Sequence, residues 1–250
     1  MNRIILWLAF LPMFAFAENE TCWSGELSEF WSVGSAQDAQ GRLLYCEFHK
    51  GEFGAEKNSV IYRAPTGEII AEKNILWDSS RTQPDIEQKD MRTGERIQVT
   101  RGDQWSLSYR ENRDANAEQV NLALDEIDVV DAGFDQKVRD HWDDLIAGGR
   151  LRVMFAAPAL QRSVPLRITR RDPRHCAHAH AEDWVCFLVE ADNALVRLFV
   201  EPLRLSYDQQ GRLGVFAGVV NIRDDTGKKQ SAVIRYRYAE EWESRRVNTH

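Results

Sequence analysis

The sequence predicts a mainly β protein: a curved antiparallel meander forming an unclosed barrel, with one amphipathic helix, about residues 134–146, packed in its opening. Three observations predict it. Short apolar runs alternate with polar residues at a period of two, as on half-buried strands. Compact turns rich in Gly, Pro, Asn and Asp separate consecutive runs, which is how hairpins are written. One stretch in the middle follows the helical period instead, and a lone amphipathic helix among strands must bury its apolar stripe against the sheet.

The helix is read from spacing. Phe134, Val138, Trp142, Leu145 and Ile146 fall at i, i+4, i+8, i+11 and i+12, one face of a 3.6-residue period. Asp135, Lys137, Arg139, Asp140, Asp143 and Asp144 take the opposite, solvated face. Asp131 is placed to cap the first turn, and Gly148 and Gly149 end the helix because glycine accepts the left-handed cap. His141 flanks the apolar stripe and reads as a helix-side histidine rather than a general base. The period then switches, with Leu151, Val153 and Phe155 alternating with Arg150, Arg152 and Met154.

Before the helix, residues 18–40 are mixed; Leu27, Phe30, Trp31 and Val33 fit a short helix or a strap over one end of the sheet. Strand patterns begin at Gly41 with GRLLYCEF. NSVIYR and EIIAEKNILW make a hairpin about Pro65-Thr66-Gly67, where proline presets φ and glycine supplies a positive one. A second turn falls at Arg92-Thr93-Gly94, WSLSY alternates cleanly, residues 111–118 form a polar loop, and QVNLALDEIDVV offers a further strand. After the helix come PLRITRR, WVCFLVEAD, ALVRLFVEPLRLSYD, RLGVFAGVVNIRDD and SAVIRYRY. Their turns fall at Asp192-Asn193, Asp208-Gln209-Gln210-Gly211 and Asp225-Thr226-Gly227.

Residues 1–17 read as a secretory signal peptide: Arg3, an apolar run at 4–14, and Ala15-Phe16-Ala17 as the cleavage site. Residues 18–240 then form a single β-rich domain, and 241–250 a polar tail. The expected location is exported, periplasmic or secreted, with no transmembrane segment in the mature chain. The 250-residue chain carries a net charge of −7 and no basic stripe, which argues against nucleic acid as a partner. Arg170, Arg171 and Arg174 form a small cluster, read first as a solvated face and second as an anion contact. Cys22, Cys46, Cys176 and Cys186 make an even count for an oxidising compartment. Of the three possible pairings, proximity favours Cys22–Cys46 and Cys176–Cys186.

Chemistry-bearing patterns are few. In RHCAHAH, His175, His178 and His180 supply three imidazoles within one loop, with Glu182 or Asp183 as a further ligand for Zn²⁺ or Cu²⁺. The competing reading is a solvated histidine loop closed by a disulfide. The sequence holds no G-x-S-x-G elbow, P-loop, dinucleotide fingerprint or EF-hand loop, and no cofactor is expected. Trp105, Trp142, Phe155, Phe199 and Tyr236 fall at inward positions. Most inward aromatics are plain core, but a long curved sheet often encloses a cavity, and these five are the candidate lining for a hydrophobic ligand.

The segments YRAPTGEIIAEKNI, DAGFDQKVRDHWDDLIAGGRLRVMFAAP and VEPLRLSYDQQGRLGVFAGVVNIRDD, together with the signal peptide, resemble the periplasmic lipoprotein-carrier half-barrel proteins and their uncharacterised exported relatives. The resemblance is one of pattern and implies an unclosed barrel plugged by helix, an apolar concave face and no catalytic residues. The expected function is therefore an exported, non-enzymatic protein that binds or carries a lipid or other hydrophobic small molecule. The alternatives are a metal-binding protein or metal-dependent hydrolase using the histidine loop, and a cell-envelope interaction module.

Overall fold

The computed structural model describes Cys22 and residues 29–51, 55–78, 80–176, 184–193 and 201–239. The first half of the chain forms β1 (Phe30–Gln37), β2 (Leu43–Lys50), β3 (Lys57–Arg63), β4 (Ile69–Leu76), β5 (Asp85–Asp90), β6 (Arg96–Arg101), β7 (Trp105–Arg110) and β8 (Glu118–Leu122). The second half forms β9 (Arg150–Ala157), β10 (Arg162–Arg171), β11 (Val185–Ala191), β12 (Leu203–Tyr207), β13 (Leu213–Val219) and β14 (Ser231–Tyr238). Among the described residues these make one sheet in which β8 down to β1 are followed by β14 down to β9. All neighbours are antiparallel, so tight hairpins suffice to connect most of them. The two meanders join where β1 pairs with β14, Gly34 opposite Tyr236. The ends of the sheet, β8 and β9, do not pair with each other, and the barrel stays unclosed.

Three of the turns share the pattern D-x-x-G-[RK], at 38–42, 208–212 and 224–228. In each, one carboxylate oxygen accepts two backbone N–H groups: Gln40 and Arg42 at 2.9 Å each, Gln210 and Arg212 at 2.9 and 2.8 Å, Thr226 and Lys228 at 2.8 and 2.9 Å. The glycine of each takes a positive φ of 81°, 73° or 80°, where a side chain costs about 1–2 kcal/mol.

Residues 123–149 connect the two sheet ends. After a 3₁₀ turn at Leu124–Glu126, a strap runs along β9, with Asp128 N–H donating to the Met154 carbonyl at 2.8 Å and Ala156 N–H to the Val129 carbonyl at 3.0 Å. The strap covers what would otherwise be an open sheet edge. It leads into α1 (Gly133–Asp140) and α2 (Trp142–Ile146).

The concave side holds two cores. Over β2–β7, Tyr45, Val60, Ile86, Val99, Trp105 and Leu107 pack under Ile127 and Val130 of the strap and Ile222 of the arm between β13 and β14. Over β9–β12, Val153, Ile168, Phe187, Val189, Leu205 and Tyr207 pack under Val138 and Leu145 of the helices. A third cluster, on the outward side of β1–β2, joins Val33 and Leu43 to Cys22 and Cys46. The disulfides are Cys22–Cys46 and Cys176–Cys186, with Cα atoms 5.7 and 5.5 Å apart.

Three expectations change. The helix is two helices, broken at His141: its N–H turns to the Val138 carbonyl at 3.2 Å, while its Nδ1 takes the place beside the Lys137 carbonyl at 3.1 Å. A side chain that competes for the i−4 carbonyl interrupts the helical ladder. Asp131 does not cap α1; its side chain turns to Lys73, and the N-cap position falls to Ala132. Phe30, Trp31 and Val33 lie in strand β1 rather than in a short helix or strap. The signal peptide, Leu27 and the tail at 241–250 lie outside the described residues.

Candidate functional site

Alternation on β2, β3, β4 and β5 sends Glu47, Tyr62, Lys73 and Gln88 to the concave side. These positions are buried, so polar groups there need partners. Lys73 Nζ lies 2.7 and 2.8 Å from the two oxygens of Asp131, at the end of the strap. Asp131 has φ 40°, a left-handed conformation that aspartate tolerates better than most residues. Gln88 and Asn221 exchange two hydrogen bonds of 3.0 and 3.1 Å. The Tyr236 hydroxyl donates to Glu47 at 3.0 Å, and the Tyr236 ring lies where a Cβ on Gly34 would stand 2.9 Å away. Burial, and then the Glu47 carboxylate, push the hydroxyls of Tyr45, Tyr62 and Tyr236 well above the usual tyrosine range. They remain protonated, and the centre is a pinned polar interior rather than an open pocket.

The open space is at the seam. Where the β9 end of the sheet approaches β5 and β6, a cleft of ≈ 160 Å³ is lined by Ile86, Ile97, Val99, Val130, Phe155 and Ala156. The Pro158–Leu160 turn packs on β6 and β7, and Pro158 and Ala159 form part of the wall. Asp131 is the charged group in the lining, and Lys73 neutralises it. A dry cavity of about 150 Å³ accepts a benzene ring, whereas whole drug-sized ligands need about 300–1,000 Å³. The cleft therefore fits one ring or the end of one acyl chain. A larger groove of ≈ 310 Å³ at β12–β14 is lined in part by Glu201, Arg204 and Ser231, whose charged and polar side chains suit an apolar group less well.

Of the five aromatic candidates, Phe155 lines the seam cleft. Trp105 is fully buried, and its indole N–H donates to the Leu124 carbonyl at 3.3 Å. Trp142 stands edge-on to Phe187 and Tyr207, with centroids 5.6 Å from each. Tyr236 belongs to the Glu47 centre, and Phe199 lies outside the described residues. The structure does not bring the five together. His175 sits exposed in a 3₁₀ turn, Pro173–His175, while His178, His180, Glu182 and Asp183 lie outside the described residues. Cys176 is committed to Cys186. Among the described residues no three His, Cys, Asp or Glu side chains gather as a metal site would require, and no helix is long and apolar enough to cross a membrane.

Sequence reasoning missed Lys73, Asp131 and the small lining residues. The signal for Lys73 was present: in EIIAEKNIL it shares the parity of Ala71 and Ile75, a lysine written at a core position. Ala156 and Val130 carried no such mark, because small apolar residues read the same in a core and in a cleft. Comparison with family models, with curated proteins and with solved structures finds no match to this chain.

Proposed function

We propose that the chain is an exported, non-enzymatic binding protein of the cell envelope that holds one slim apolar group, the end of a single acyl chain or a ring, in the seam cleft. The observation that carries this reading is the cleft itself: apolar walls, a neutralised carboxylate and a mouth bounded by the Pro158–Leu160 turn. The pattern read as a signal peptide and the two disulfides support export. The resemblance to lipoprotein carriers supports the ligand class. The filled concave side argues for a small guest at the seam instead of a whole diacyl lipid inside the barrel.

The test is a titration of the protein, purified from the envelope fraction, with a fluorescent single-chain fatty acid. Saturable binding is expected, and Ala157→Trp, placed in the cleft wall, should weaken it by roughly tenfold or more with unchanged thermal unfolding. Absence of saturable binding, or binding indifferent to Ala157→Trp, would remove the reading. N-terminal sequencing should begin at Glu18; an uncleaved start would contradict export by the expected route.

A further inference from the structure

The outward side of the sheet at its β9 end carries a charge pattern that the cleft does not use. Val153, Ile168, Val189 and Leu205 point into the core beneath the helices. Alternation then sends Arg150 and Arg152 of β9, Arg167 and Arg171 of β10 and Arg204 of β12 to the opposite side. The register sets them close together. Arg152 stands opposite Arg167, and Arg150 opposite Thr169. On the next strands, Arg171 faces Cys186 and Arg204 faces Leu188.

Among the described residues, the acids paired with this group are Glu190, 3.0 Å from Arg167 and 3.6 Å from Arg171, and Asp192, 3.3 Å from Arg152. Arg204 shares its groove with Glu201. Among the described residues, five arginines against Glu190, Asp192 and Glu201 leave two positive charges in excess, in a chain whose net charge is −7. The Arg152 and Arg171 side chains are 77% and 46% exposed, although each has an acid within reach. Every cation in the group is arginine, whose planar fork takes two oxygens of one phosphate, where lysine offers a point charge.

We propose that this side docks the protein on the phosphate groups of an anionic phospholipid surface. An outward sheet side spreads its charges over three strands and does not wrap a single anion, so it suits many phosphates held in a plane. The attraction acts over roughly 8 Å at physiological salt and weakens as salt rises.

The experiment is co-sedimentation of the full mature protein with vesicles of phosphatidylcholine alone or mixed with phosphatidylglycerol, at low and physiological salt. Binding is expected only to the mixed vesicles, falling as salt increases. Each arginine near an anionic surface contributes roughly fivefold to partitioning, so Arg150→Ser with Arg152→Ser and Arg171→Ser should reduce it by roughly a hundredfold. These side chains are exposed, and the triple variant should melt with the parent protein. Ala157→Trp should bind vesicles normally, which separates this surface from the cleft. Equal binding to neutral vesicles, or binding that survives the triple change, would overturn the proposal. So would displacement by millimolar inorganic phosphate at constant ionic strength, which would mark a single-anion site. A dimer in solution that the triple variant abolishes would also overturn it and name a second copy as the occupant.

Discussion

Asp135 occupies a position that the helical period assigns to the solvated face, yet its Oδ1 is sealed from solvent. Breaking the helix at His141 does not explain this; the floor beneath α1 does. The Tyr207 hydroxyl of β12 lies against the carboxylate, and Arg139 one turn on stands 2.6 Å away. Burial pushes the Asp135 carboxyl above its ordinary range, and Arg139 and Tyr207 pull it only part of the way back. A raised native value means that the folded protein holds the proton longer than the unfolded chain does. The stability this provides is present below the unfolded value near 3.8 and is lost as pH rises through the raised native value. Asp135→Asn removes the ionisation and keeps the shape. Thermal melts across this window should show the variant gaining on the parent as pH increases. If instead the parent gains on the variant, the Arg139 pair outweighs the burial. The same tension between pattern and environment appears at Glu47 and Lys73, charged residues at core parity whose partners, Tyr236 and Asp131, nothing local in the sequence names.

The turns show how much an element can announce itself. Asp208-Gln209-Gln210-Gly211 was legible as a turn because its glycine and aspartate are the residues such a turn demands. What the sequence reading missed was the fifth residue. Arg212 Nε donates to Asp208 Oδ2 at 2.7 Å while its backbone N–H reaches Oδ1, so the pattern is five residues long and occurs three times. Asp208→Ala should cost about 1–2 kcal/mol in denaturant unfolding, because two backbone donors lose their acceptor. Asp208→Asn, which keeps an acceptor oxygen, should recover most of the loss; equal loss in both would assign the effect to charge alone. Strand β1 was illegible for the opposite reason. Val33 is buried on the outward side beside Cys22 and Ala36 on the concave side, so both faces are covered and the alternation that identifies a half-buried strand disappears. The seam cleft shares that difficulty: Val130 of the strap lines it, and Ile127, Val129 and Val130 are all buried around Asp128, which signals burial without saying against what.

At the scale of the molecule, the mainly β unclosed architecture was readable from local patterns, but the strand order was not. The β1–β14 pairing joins residues such as Gly34 and Tyr236, and nothing local in either strand names the other. What holds the two meanders in this relation is visible only in three dimensions. The arm at 220–230, between β13 and β14, lies across the first meander and places Ile222 in its core. Arg223 then reaches Glu95 at 2.7 Å and receives its second partner in Tyr109, whose hydroxyl donates to the same Glu95 oxygen at 2.9 Å. Arg92 completes the clasp, 3.0 Å from Asp90, 2.7 Å from Asp225 and 2.7 Å from the Arg223 carbonyl. Burial and Glu95 together push the Tyr109 hydroxyl up to about 12, so it stays a donor throughout the neutral range. The Arg223 and Glu95 side chains are 12% and 7% exposed. Removing one partner of such a pair strands the other without water, which costs about 3–5 kcal/mol, whereas replacing both with apolar groups of similar size is often close to neutral. Arg223→Met should therefore lower the denaturation midpoint sharply, and adding Glu95→Leu should return part of the loss. Amide hydrogen exchange should rise first in the 220–230 arm and at the β5–β7 ends in Arg223→Met. An unchanged midpoint, or a double variant weaker than the sum of its single changes, would mean that Ile222 and the Gln88–Asn221 amide pair hold the arm without the clasp.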